Sequence, residues 1–196
     1  MEFADLVRRR RMVHHFASRP VPQEVLDTIL ESARHAPSAG FSQGLALIVL
    51  DDREQLAWFW RATQQTERPQ DAPPVVVLPV PDKRVYLERY QRPDKGGPQG
   101  PRATESGWPT PYFWDVDAAM ACMLILLKAV DLGIGAWFFG IPYGHDELVQ
   151  TLGVPEGLRV IGAIGLGYQA DGDRMEGSSV TIPRRELSGM VHRGGW

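Results

Sequence analysis

Cysteine is almost absent. Cys122 is the only one in 196 residues, which excludes an internal disulfide and any site built on several thiolates. It lies in an apolar run and reads as a core residue. Long apolar runs are missing as well. The longest, residues 118–127 between Asp117 and Lys128, falls well short of the roughly 20 residues that a bilayer crossing requires. Excess positive charge is also lacking: the formal net charge is -3. General nucleic-acid binders are usually basic, so neither nucleic acid nor membrane is an expected partner. The opening Met1-Glu2-Phe3-Ala4-Asp5 is acidic, and arginines follow where a signal peptide would carry its apolar stretch. A cytoplasmic location is therefore expected.

Other absences concern chemistry. His14, His15, His35, His145 and His192 include no i, i+4 pair with an acidic companion, so no metal site is expected. No serine stands in a G-x-S-x-G elbow, and no catalytic side chain is assigned. Gly165-Leu166-Gly167-Tyr168-Gln169-Ala170 matches a dinucleotide-binding fingerprint. The turn-forming Asp171-Gly172-Asp173 follows it, so no helix N-terminus is left to meet a pyrophosphate. The glycines are read instead as allowing close packing on a central helix.

What is present is a soluble globular composition, 43% hydrophobic and 23% charged. Patterning predicts a short helix over 2–12 and a second over 23–36, with Pro22 at its first position and Pro37 as its stop. Residues 45–50 form a continuous apolar run, expected to be a strand buried on both faces. A tryptophan-rich helix follows over 53–64, then a β-branched strand over 75–80 that Pro79 ends or bends, then a short helix over 82–90. The strongest helix covers 115–132, apolar nearly all round and so central. Strands over 135–140 and 158–168 bracket a short helix over 145–152, and an arm closes the chain. The uneven alternation predicts a mixed α+β sheet around a central helix, in one domain spanning 1–196 with a C-terminal arm from about residue 178.

The irregular stretch 91–112 leads into Trp108-Pro109-Thr110-Pro111-Tyr112-Phe113-Trp114. Aromatics this dense either wall a pocket or anchor a loop on the body. The working expectation is that Trp108 and Tyr112 shape a substrate site.

Three distant segments carry the functional signal. The first is Arg8-Arg9-Arg10-Arg11-Met12-Val13-His14-His15-Phe16, and the second is Ala36-Pro37-Ser38-Ala39-Gly40-Phe41-Ser42-Gln43. The third is Pro183-Arg184-Arg185-Glu186-Leu187, closing on Trp196. Cationic clusters at both ends of an acidic chain suggest a phosphate held jointly, because guanidinium groups bind phosphate with charge-assisted, often bidentate hydrogen bonds.

Together these segments resemble the nitroreductase-like family of FMN-dependent flavoproteins. That family has R-R-S-x-(R/K)-x-F followed by P-V, then A-P-S-x-x-N-x-Q, and R-R-P-L with a late histidine and tryptophan. Here Arg10-Arg11-Met12-Val13-His14-His15-Phe16 occupies the first pattern, with Pro20-Val21 after it. Gly133-Ile134-Gly135-Ala136, Leu152-Gly153-Val154-Pro155 and Leu166-Gly167-Tyr168 resemble further family turns and strand ends, in order.

The resemblance implies a mostly antiparallel central sheet flanked by helices. It also implies a homodimer with FMN at the subunit interface. Arg10 with Arg184 or Arg185 would take the phosphate, with Arg11, Met12 and His14 beside them. Pro37, Ser38 and Ala39 would reach the flavin from the partner subunit, and Gln43 would add a polar contact. Phe138, Phe139 and Gly140 would line the ring. NAD(P)H would be the electron donor, and a flat apolar acceptor such as a quinone or nitroaromatic would meet Phe41, Trp108 and Tyr112. Three positions depart from the family pattern: Met12 replaces its serine, His14 its second cation and Phe41 its asparagine. Two alternatives accompany this reading, a flavin-binding storage protein and an enzyme that oxidatively consumes reduced FMN.

Overall fold

In the computed structural model, residues 1–65, 71–173 and 178–196 are described. The first helix, α1 (Phe3–Arg9), ends sooner than its pattern suggests, because Arg10 turns to an extended conformation (φ -59°, ψ 120°). Beyond it the backbone joins the sheet edge: the Val13 N–H donates to the Ala136 carbonyl at 3.0 Å, and Phe16 bridges Gln169. Extended residues gain interstrand hydrogen bonds there, which outweigh continued helix.

Pro22 is the N-cap of α2 (Gln23–Glu31), one position outside its expected place. A 3₁₀ turn, Ser32–His35, carries the chain on to Ala36. Ala36 is extended (φ -66°, ψ 139°), as a residue before proline prefers. β1 (Leu45–Leu50) then leads to α3 (Arg53–Ala62), which Asp52 caps by accepting the Glu54 and Gln55 N–H groups. β2 (Val75–Pro81) precedes α4 (Lys83–Tyr90), capped in the same way by Asp82. The long α5 (Phe113–Asp131), β3 (Gly135–Phe139), α6 (His145–Thr151), β4 (Ala163–Gly167) and a single turn, α7 (Ser178–Thr181), complete the order.

The described strands form one sheet in the order β1-β2-β4-β3, antiparallel at every pairing. β2 is buried along its whole length because helices cover both faces. Val75 and Val77 point into one core with Leu26, Ile29, Ile125 and Ala129 of α2 and α5. Val76, Leu78 and Val80 point into the other with Phe59, Phe139 and Leu148. This is the period-2 alternation of a strand used on both sides.

β1 is a correction. Its apolar run predicts burial on both faces; Leu45, Leu47 and Val49 do pack on one core and Ile48 and Leu50 on the other, but only Leu50 is fully buried, because β1 lies at the sheet edge where the layers cover it less. Pro79 does not end β2 either. Its carbonyl accepts from the Ile161 N–H, so its ring nitrogen faces the β4 side, where the β2–β4 ladder has already stopped at Val77. No ladder hydrogen bond is lost. The glycines of β4 meet prolines, not the central helix: a Cβ at Gly165 would lie 2.6 Å from the Pro73 ring, and one at Gly167 would lie 2.5 Å from that of Pro74.

α5 is central as expected, with Ala118, Ala121, Cys122, Ile125 and Ala129 buried. Burial pushes the Cys122 thiol up to about 11. One face of α5 nevertheless stays open, with Met120 and Met123 exposed. No described helix is long and apolar enough to cross a membrane.

Candidate active site

The loop over residues 36–44 gathers several left-handed residues in a short stretch. Gly40 has φ +63°, and Phe41 (φ 55°) and Gln43 (φ 57°) share the left-handed region that L side chains rarely adopt. Such strain persists only where the surroundings over-determine it. Here four hydrogen bonds do so. Asp117 of α5 accepts the Ala39 N–H at 2.8 Å, and Arg89 of α4 donates from Nε to the Gly40 carbonyl at 2.9 Å. Ser38 Oγ accepts the Gln43 N–H at 3.0 Å, and Ser42 Oγ donates to the Ala39 carbonyl at 2.7 Å.

Asp117 is buried, 6% exposed, and also accepts the Tyr86 hydroxyl at 2.9 Å. Burial, with help from Asp117, pushes the Tyr86 phenol far above its ordinary range, so Tyr86 remains a donor. Pro37, Ser38, Gln43, Leu45, Tyr86 and Asp117 share the wall of a cleft of about 180 Å³.

A separate group of candidate residues lies on the chain after α1, along a different cleft edged by Arg9, Arg11, Val13 and Gly135. Val13 packs on Gly135, and Met12 turns the other way, where its sulfur accepts the Phe138 N–H at 3.4 Å. His14 meets Trp137 edge-on, with ring centroids 5.1 Å apart. Arg10 is half-buried at the end of α1, with no ion pair among the described residues. Arg11 is otherwise engaged: it pairs at 2.5 Å with Asp173, whose side chain is buried. Its guanidinium is thus partly neutralised, beside Arg10 in sequence but engaged with an acid of its own chain.

Phe138 is half-buried and packs towards the α2–α5 core. Phe139 is 7% exposed, stacked between Trp137 (4.1 Å) and Trp60 (5.7 Å). Its ring belongs to the opposite core, so only its backbone can face a ligand. A Cβ added at the exposed Gly140 would meet nothing within 4 Å.

The arm carries Arg184 and Arg185, both exposed. Arg185 donates to the Gly189 carbonyl. No described hydrogen bond or ion pair links residues 182–196 to the body of their own chain. The described contacts within one chain therefore do not bring Arg184 or Arg185 to Arg10.

The aromatic loop resolves as an anchor. Trp108 is 5% exposed; it lies against Tyr90, Tyr86 and Trp114, and its indole N–H donates to the Arg102 carbonyl at 3.0 Å. Tyr112 stacks on Trp114 at 4.4 Å. The expectation that Trp108 faces a substrate is corrected: burying its large apolar ring outweighs leaving it on a loop. Trp108→Ala should lower unfolding stability by about 3–5 kcal/mol. Urea titration of the wild type and variant checks this, and a loss under 1 kcal/mol would contradict the anchoring role.

A family model described as the nitroreductase family matches residues 7–168, most of the chain. The chain belongs to the nitroreductase family. A protein of Archaeoglobus fulgidus that bears the name NADH dehydrogenase/NAD(P)H nitroreductase is 30% identical over 175 residues, covering 87% of each chain. An NADH dehydrogenase of Thermus thermophilus is 25% identical over 182 residues, with 83% of this chain and 84% of that one aligned. Among solved structures, a nitroreductase family protein of Clostridium difficile 630 superposes over 100% of both chains with a TM-score of 0.72 at 22% identity. An FMN-dependent nitroreductase of Clostridium difficile R20291 covers 99% of this chain and 100% of its own with a TM-score of 0.69 at 21% identity. At those identities the two structures establish the nitroreductase fold alone.

The nitroreductase match ends at Tyr168, so Arg184 and Arg185 rest on their own motif. Sequence reasoning missed Asp117 and Arg89 as holders of the loop. Asp117 did leave a signal, an acid interrupting the apolar face of a buried helix. Arg89 left none, being one arginine on a polar helix.

Proposed function

We propose that the protein is a cytoplasmic FMN-dependent NAD(P)H oxidoreductase that acts as a homodimer and reduces a flat apolar acceptor such as a quinone or nitroaromatic. The carrying observation is Arg10, a half-buried guanidinium with no acidic partner among the described residues. It stands at the head of the extended segment that lines β3. A guanidinium withdrawn from water needs an anion, and a phosphate monoester dianion suits it.

The donor set fits the cofactor. Arg10 would hold the phosphate, joined by Arg184 or Arg185 when two copies meet. Met12, His14 and the Phe138–Gly140 backbone would flank the ring, with Pro37, Ser38 and Ala39 approaching from the partner subunit. FMN, when bound, supplies two-electron transfer between NAD(P)H and the acceptor. The chain's own part is to bind and orient: the pinned loop keeps Pro37, Ser38 and Ala39 in place, and the apolar surroundings of β3 exclude water.

Exposed apolar side chains support the dimer. Phe3 is 71% exposed on α1, Met123 46% on α5, and Ile182 65% and Leu187 71% on the arm. Apolar side chains left open in one chain are suited to burial between two copies.

The test is direct. Purified protein should be yellow, with absorbance near about 450 nm. It should bleach under anaerobic NADH or NADPH and recover its colour on adding menadione. A protein that stays yellow under both donors would refute the oxidoreductase reading.

A further inference from the structure

Phe41 is a large ring, 71% exposed, on a backbone that disfavours any side chain at that position. Folding gains little from such a residue, since the ring buries almost nothing in its own chain. Its placement is nevertheless held firmly from below. Arg89 Nε donates to the carbonyl of Gly40, the residue immediately before it. The rest of the Arg89 guanidinium grips both oxygens of Asp94, at 2.8 and 2.6 Å. This fork holds the Asp94 carboxyl below the usual carboxylate range. The next residue of α4, Tyr90, lies directly under Gly40, where a Cβ would come within 2.8 Å of its ring. Behind Tyr90 stands the buried Trp108, 4.6 Å away between centroids. A continuous support therefore runs from the aromatic loop through α4 to the Phe41 backbone. Phe41, Gln43, Arg89 and Arg92 edge a cleft of about 490 Å³ on that side.

We propose that Arg89 is a positioning residue that presents the Phe41 ring as one wall of the acceptor site, and so sets the affinity for flat acceptors. The inference rests on the proposed function, in which Pro37, Ser38 and Ala39 approach the flavin of the partner subunit and Phe41 follows them on the same loop. Arg89 touches neither cofactor nor acceptor. It acts by fixing the Gly40–Phe41 peptide, and Asp94 acts by holding the Arg89 fork in place. A planar fork can serve Gly40 and Asp94 at once, which a lysine ammonium with no fixed geometry does poorly.

The experiment uses the FMN-loaded full-length protein as wild type, Phe41→Leu, Arg89→Ala, Arg89→Lys and the Phe41→Leu/Arg89→Ala double variant. Menadione is the probe, read by calorimetric binding to the oxidised protein and by steady-state turnover at saturating NADH or NADPH. Arg89→Ala and Phe41→Leu should each weaken menadione binding and raise its KM by about five- to tenfold, the size of one lost aromatic contact. The KM for the nicotinamide donor and the bound FMN content should stay within about twofold of wild type. The double variant should be no worse than either single one, because one residue acts through the other. Arg89→Lys should fall between wild type and Arg89→Ala; it also serves as the readout if the alanine variant does not fold.

Multiplying effects in the double variant, or unchanged menadione binding in Arg89→Ala or Arg89→Lys, overturn the inference. A wild type that binds menadione in this Arg89-dependent way without turnover removes the proposed activity and leaves the positioning role standing. A wild type that neither binds nor reduces menadione removes both.

Discussion

Replacing Arg10 with alanine is expected to weaken FMN binding by about ten- to a hundredfold, the factor that corresponds to one lost hydrogen-bonded charge contact of roughly 1.5–3 kcal/mol. Arg10 stands half-buried at the C-terminal cap of α1, without a carboxylate among the described residues to neutralise it. No described carboxylate competes with a ligand for its charge. Its neighbours differ. Arg11 already holds Asp173, and Arg9 lies exposed on α1. Arg9→Ala should accordingly change FMN affinity by less than about twofold, which makes it the matched control for general charge. Riboflavin separates the phosphate contribution from the ring contribution. In the wild type FMN should bind more tightly than riboflavin, and Arg10→Ala should erase most of that difference. The double variant Arg184→Ala/Arg185→Ala should narrow the same gap if the arm completes the phosphate site. Fluorescence titration of both flavins measures all four proteins. An FMN-to-riboflavin ratio that Arg10→Ala leaves intact would show that the phosphate lies elsewhere.

The second large effect is expected at Asp117. Its carboxylate is buried and accepts from two groups with no other described partner, the Ala39 N–H and the Tyr86 hydroxyl. Asp117→Ala leaves the buried Tyr86 hydroxyl and the part-buried Ala39 N–H unpaired, at roughly 1–3 kcal/mol for the first and less for the second, so a loss of about 2–4 kcal/mol of unfolding stability is expected. Tyr86→Phe should be milder, at about 1 kcal/mol, because Asp117 keeps the Ala39 N–H. Function should follow the same order. The loop over residues 37–43 carries three left-handed residues, and without the Asp117 anchor that strain has less to oppose it. FMN affinity should thus fall in Asp117→Ala and be nearly unchanged in Tyr86→Phe. Urea unfolding of the apoprotein, paired with flavin titration, checks both halves. An Asp117→Ala protein within 1 kcal/mol of wild type would remove the anchoring role.

Much of this molecule is legible in its sequence, and the exceptions share a cause. Element type follows from short-range pattern. The apolar period of α2, the β-branched run of β2, the apolar length of α5 and the caps at Asp52 and Asp82 are all set by residues within a few positions of one another. The match that assigns the family is likewise written in linear order, over residues 7–168. Wherever the outcome depends on what lies across space, the linear pattern falls short. β1 and β2 read alike as apolar runs, yet one is an edge strand and the other is central. Trp108 and Phe41 are both aromatic residues in loops, yet Trp108 is buried against Tyr86, Tyr90 and Trp114 while Phe41 is held outward. Arg10 and Arg11 are adjacent and chemically identical, yet among the described residues only Arg11 meets an acid.

By itself, then, the sequence determined the elements, the family and the residue types able to hold a phosphate-bearing flavin, because propensity and motif order act locally along the chain. Only the tertiary structure decided which of those residues are available. Packing and ion pairing allot each ring and each charge to a partner distant in sequence: Asp173 to Arg11, Trp60 to Phe139, and Asp117 with Arg89 to the loop that bears Phe41.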